Sequence, residues 1–302
     1  MFKRMLGAFG VGGPTVDTVL DNDATRPGLL LSGRVELAGG SHDAQIEHVS
    51  VALVTRVEVE GGDGEYDAYT EFFRVGVAGH LSLREGERAS LPFQLAVPWE
   101  TPVTDLYGQR LHGMTMGLRT EVAVAGAVDK GDLDAVHVHP LPVQERILDA
   151  FGRLGFGFTT ADLERGRLSG VPQQLPFYQE IEYRAAPQYA HAFRGVELSF
   201  VATPHAVEVV LEFDGHADAF ARYTIPHGDA DRVDFAAVVD GWMREATSRM
   251  PSHGYGGHHE EHHEDGPGWG GVALGAAGGF AAGLVAEEVF EEIFEDEEED
   301  EE

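Results

Sequence analysis

The 302 residues include no cysteine, which excludes disulfide scaffolds, thiol nucleophiles and thiolate metal sites, and fits a reducing compartment. Positive charge is scarce as well. Twenty-one Lys and Arg stand against 52 Asp and Glu, a net charge of −31. Such a field repels phosphate backbones and anionic lipid, so it argues against nucleic-acid binding. The shortage is uneven: residues 251–302 hold sixteen Asp plus Glu and no basic residue, which leaves 21 basic and 36 acidic residues, or −15, in 1–250. Catalytic signatures are absent too, with no G-x-S-x-G elbow, P-loop, H-E-x-x-H or G-x-G-x-x-G behind a strand. "DNDATRPG" opens like a calcium loop at Asp21 and Asp23. It then has Arg26 where that loop needs Gly and Ser32 where it needs an acid. The apolar part of the start "MFKRMLGAFGVGG" is too short and Gly-broken for a signal peptide; Met1, Phe2, Met5, Leu6 and Phe9 fit one face of a short helix that docks on the body or, as the lesser alternative, touches a membrane transiently.

What is present is period-two alternation. A hydrophobic share of 43% suffices for sizeable cores. Across 15–139, Leu29, Leu31, Val35 and Leu37 share one face, as do Val51, Leu53, Val57 and Val59, then Leu91, Phe93, Leu95 and Val97, then Val122, Val124 and Val128. The turn signals "RPG", "AGGS", "EGGDGE", "REGER" and "DKGD" punctuate these runs. Helical spacing first occurs in "HPLPVQERILDAFGRLGF", at Val143, Ile147, Leu148, Phe151 and Leu154 behind two prolines. Alternation resumes at Ile181 and Tyr183, at Val196, Leu198 and Phe200, and at Val207, Val209, Leu211 and Phe213. "DRVDFAAVVDGWMREATSR" then reads as a closing helix behind an Asp cap. The expected architecture is all-β: an antiparallel sandwich over 1–139, a connecting helix over 140–158, a second antiparallel sandwich with its closing helix over 159–250, and a low-complexity tail over 251–302.

Two histidine groups invite a metal reading. His137 and His139 lie two apart on one strand face, but Val136 and Val138 claim the buried face, which predicts solvent-facing imidazoles. In "HHEEHHED", His258, His259, His262 and His263 are candidate ligands, each pair four apart on a helix, though flanking glycines disfavour that helix. This tract reads as a hydrophilic linker, a loose site for Zn, Ni or Cu, or a pH sensor. No catalytic residue and no cofactor is expected. The uncharged 269–286 stretch places Gly271, Gly275, Gly279 and Gly283 four apart, a stripe that lets a second helix approach closely. The stretch suits a flexible or conditionally helical tail, a glycine-zipper contact, or membrane insertion. Neither flank is positive, which weighs against a span.

The strings "TVDTVLDNDATRPGLLLSGRVELAGG", "LPFQLAVPWETPVT" and "LRTEVAVAGAVDKGDLDAVHVHPLP" resemble the bacterial sporulation-control proteins, which are arrestin-like. The likeness in layout spans about 1–250 and includes "MFKRML", Pro27 and Gly28, Gly39 and Gly40, and the Asp-rich turn at Asp129, Asp132 and Asp134. It implies paired β-sandwiches joined by a short connector, serving as a regulatory scaffold with no active site. The resulting expectation is a non-enzymatic cytoplasmic regulator that binds other proteins. The alternative is a membrane-associated adaptor, anchored or self-associated through the tail. The two tail readings respond oppositely to Gly275→Leu with Gly279→Leu: zipper self-association is lost, whereas membrane partition rises, as read by sedimentation with and without vesicles.

Overall fold

The structure is a computed structural model that describes residues 12–61, 64–214 and 220–250; the proposed tail features, His258 to His263 and Gly271 to Gly283, lie outside these. The first lobe contains β1 (Thr15–Leu20), β2 (Ala24–Thr25), β3 (Leu30–Ala38), β4 (Ala44–Gly61), β5 (Gly64–Ala78), β6 (Leu81–Leu83), β7 (Arg88–Ala96), β8 (Asp105–Leu106), β9 (Gln109–Arg110), β10 (Met116–Val124), β11 (Lys130–Ala135) and β12 (His137–Val138). The second contains α1 (Pro142–Arg153), β13 (Gly157–Arg165), β14 (Phe177–Arg184), β15 (Gly195–Ala202), β16 (Ala206–Phe213), β17 (Phe220–Pro226) and α2 (Phe235–Arg249).

In the first lobe an antiparallel sheet β1-β3-β7 faces a second sheet in which β4 pairs β10, β5 and β6, and β10 pairs β11. Alternation explains the sandwich. Leu31, Val35, Leu37, Phe93 and Leu95 point inward from one sheet, and Ile46, Val49, Val51, Leu53, Met116, Leu118 and Val122 from the other. Gly33 is required where β1 and β3 cross Phe93, because a Cβ there would lie 2.6 Å from the Val19 carbonyl and 2.9 Å from the Phe93 ring. Among the expected face members, Leu29 and Val128 lie exposed outside this core. Leu29 precedes β3 and is 53% exposed, and Val128 lies in the turn after β10 and is 73% exposed. Strand β5 was hidden from the alternation reading, because its pairing with β4 shifts register at Val49/Ser50 and Leu53/Val54.

The second lobe is an antiparallel meander, β13-β14-β15-β16-β17. Its facing layer differs from the expected second sheet: among the described residues, α1 and α2 cover the inner face. Val143, Ile147, Leu148 and Phe151 from α1, with Phe235, Val239, Trp242 and Met243 from α2, bury Ile181, Tyr183, Leu198, Val209 and Leu211. Helices suffice because the strands need only one apolar cover for their alternate residues, and two amphipathic helices supply it. The connecting helix is shorter than 140–158, being bounded by Pro142 at its first turn and Leu154 at its C-cap. Helix α2 begins at the expected Asp cap, with the Asp234 carboxylate accepting from the Ala237 amide at 3.3 Å.

Strand β4 joins the lobes. Its far end pairs in parallel with β13 at Glu58 and Glu164, making one ten-stranded sheet, and Val57 enters the second lobe's core. The centre of that core is Phe151, fully buried and packed on Tyr183 and Phe156 at ring-centroid distances of 4.8 and 5.0 Å. Truncation by Phe151→Ala is expected to cost about 3–5 kcal/mol in urea denaturation. A loss under about 1 kcal/mol would contradict this packing.

Candidate functional site: the seam between the lobes

Polar contacts across the seam converge on the segment 98–115 that links β7 to β10. Trp99 is the first anchor. Its indole stacks on His227 of the second lobe at 5.3 Å and lies flat against Gly28 of the first. Gly28 has φ +79°, and a Cβ there would fall 2.6 Å from the ring, so only glycine serves. Next, the Glu100 carboxylate accepts the amides of Gln174 and Leu175 at 2.8 to 2.9 Å. Gln179 of β14 pairs both ways with Val103, its side-chain oxygen accepting the amide at 3.0 Å and its nitrogen donating to the carbonyl at 2.7 Å. Val103, Leu111 and Met114 drop into the second lobe's core beside Val57. Arg56 of β4 donates to the Gly113 carbonyl at 3.3 Å, and Ala161 of β13 to the His112 carbonyl at 3.3 Å.

Within this segment β8 and β9 form a hairpin turned by Tyr107 (φ +56°) and Gly108 (φ +79°). Asp105 at its base is buried. The Asp105 carboxylate receives the Thr104 hydroxyl at 2.6 Å and His137 Nδ1 at 3.1 and 3.2 Å. Thr104 Oγ1 in turn accepts the Val138 amide at 2.8 Å. At the tip, the Tyr107 hydroxyl donates to Asp149 on α1. The expected solvent-facing His137 is therefore corrected: it is half-buried against a carboxylate. The local pattern concealed this because the partner is 32 residues away and reaches it only when the hairpin folds over β12. The hydrogen bond that His137 donates to Asp105 holds the imidazole above its usual value, against the opposing effect of burial. Burial tends to raise Asp105, but the His137 and Thr104 hydrogen bonds outweigh it and leave this carboxyl low.

A second polar feature lies on the outer face of the five-stranded sheet. Register sets Glu182 opposite Glu197 and Glu197 opposite Glu212, with Asp162 opposite Glu180 beside them. Like charges directly opposed across strands destabilise a sheet. Asp162, Glu164 and Glu180 bring carboxylate oxygens within 4.8 Å of one another, a donor set of the oxygen-rich kind that suits a hard divalent cation. Burial, then the charges of Glu197, Asp162, Glu164 and Glu212, push Glu180 up to about 8. Period-two glutamates in "QEIEY" and "VEVVLEF" signalled an acidic face, but only the register reveals the row.

With this geometry in place, comparison with known proteins identifies the lineage. The family model described as "SpoOM protein" matches residues 2–217. The chain belongs to the SpoOM protein family. Sporulation-control protein spo0M of Bacillus subtilis (strain 168) is 30% identical over 217 residues, covering 72% of this chain and 81% of that protein. The crystal structure of Spo0M, sporulation control protein, from Bacillus subtilis aligns with a TM-score of 0.71 at 25% identity, over 78% of this chain and 100% of that one. The all-β, arrestin-like class and the resemblance to sporulation-control proteins both hold.

The acidic row yields a signed pH prediction. A carboxyl raised from 4.5 to about 8 on folding keeps its proton in the folded state, so its contribution to stability is lost as pH rises between those values. Glu180→Gln is expected to leave stability near pH 4.5 unchanged and to raise it above pH 8, by on the order of a few kcal/mol. Urea titrations at the two pH limits check this, and equal shifts at both would refute it.

Proposed function

We propose that this protein is a non-enzymatic regulatory scaffold that binds other proteins in the cytoplasm, in the control of sporulation or a related developmental step. Kinship with a sporulation-control protein supports the regulatory role. The binding mode rests on one observation. Strand β17 ends the ten-stranded sheet with its outer edge unpaired among the described residues, and it opens on Phe220, which is 59% exposed. An open edge offers backbone donors and acceptors to an extended segment of a partner, and an exposed aromatic beside it supplies an anchor. The seam keeps the second lobe fixed while that edge is engaged. The acidic body and the cysteine-free composition accord with a protein partner in a reducing compartment and not with nucleic acid.

A photo-crosslinking amino acid placed at Phe220 tests the reading in cells of the source organism. The expected result is discrete protein adducts that persist in the 1–250 truncation and are missing when the probe sits at Val128. Adducts that vanish with the tail, together with membrane sedimentation that also requires 251–302, would instead establish the tail-anchored adaptor.

A further inference from the structure

The hairpin between Asp105 and Arg110 contacts both lobes through titratable groups at its two ends. Its base is fixed to the first lobe: the Thr104 amide donates to the Val138 carbonyl at 2.9 Å, and Asp105 pairs with His137. Its tip is fixed to the second lobe, where Tyr107 donates to Asp149 of α1. Tyr107 is the one non-glycine residue with positive φ among the described residues, at +56°, a conformation that favours glycine. The tip is therefore held against its own backbone preference by the contacts at either end. We propose that this hairpin is a strap between the lobes, closed when His137 carries its second proton and loosened when it does not. This goes beyond the scaffold reading and does not depend on it.

The chemistry runs as follows. Asp105 is only 9% exposed at its side chain, so its negative charge is poorly hydrated and depends on a cationic or hydrogen-bonding neighbour. His137 faces Asp105 from β8, Asp23 from the turn before β2, and Arg110 from β9, while His139 acts on Asp105 as well. The two aspartates favour the imidazolium, and Arg110 opposes it. Loss of the proton leaves a neutral imidazole between two carboxylates, and the charge-assisted part of the clasp disappears. On the opposite side, the tip meets Glu145, Asp149 and Arg153 of α1. Because the folded His137 is raised, its contribution is complete below the ordinary histidine value of 6.5 and is lost as pH rises through the raised one.

Hydrogen–deuterium exchange on the full chain between pH 5.5 and 8.5, corrected for intrinsic exchange, tests the strap through peptides covering 103–112. Protection there is expected to fall with rising pH, with opening increasing roughly tenfold for each unit separating the closed and open His137 values, while peptides from β14 stay constant. His137→Gln retains a neutral donor and should be open at every pH, with no pH response. Asp105→Asn should likewise abolish the response, and it serves as the second test if the first variant does not fold. Tyr107→Phe should lower protection while keeping the pH response. Flat protection in the unaltered chain, a response that survives His137→Gln, or equal loosening of β14 would each overturn the proposal.

Discussion

Strand β4 is long enough to serve two cores, and that double duty is what the rest of the structure relies on. Its first half packs Ile46, Val49, Val51 and Leu53 into the sandwich, and its last turns of pleat deliver Val57 to the helical lobe. Burying a side chain of that size gains roughly 1.5–3 kcal/mol, so Val57, Val103, Leu111 and Met114 together outweigh any single polar contact at the seam. The apolar seam sets the lobes side by side. The polar groups then select one arrangement among those that such non-directional packing would permit.

That selection is carried by amides more than by ion pairs. Gln179 pairs with both backbone groups of Val103, and buried Gln144 accepts the Leu141 amide at 2.8 Å at the start of α1. Gln173 accepts from Leu168 and donates to the carbonyls of Gly166, Leu175 and Phe177, which folds the 166–175 loop over the sheet. Each would be costly to bury alone and is inexpensive once paired. The ion pairs lie farther out. Glu71, Arg74, Arg119 and Glu121 form a half-exposed lattice over β4, β5 and β10, where solvent screening limits each pair to a modest contribution.

Most strands could be read from alternation because one face of each is buried, and both helices could be read from 3.6-residue spacing with Pro142 and Asp234 at their starts. The identity of the layer facing the second sheet could not. An inward-facing Leu198 or Val209 has the same pattern whether it meets a strand or a helix, and the helices that cover it come from either side of the meander in sequence. The seam was less legible still. His137 looked solvent-facing because local spacing reports its own strand and not the hairpin folded over it, and Glu100, Gln179 and Trp99 carried no motif. The glutamate row shows the same limit, since alternation places each glutamate outward and only cross-strand register sets them opposite one another.

Trp99 has a consequence of a different kind. It lies between a glycine of one lobe and an imidazole of the other, so its surroundings change whenever the lobes part. The remaining two tryptophans have separate settings: Trp242 is stacked on Tyr223 within the second lobe, and Trp269 belongs to the tail. The molecule therefore carries a built-in optical reporter at its seam. With Trp242 and Trp269 replaced, the emission of the unlabelled protein would register the separation of its own halves.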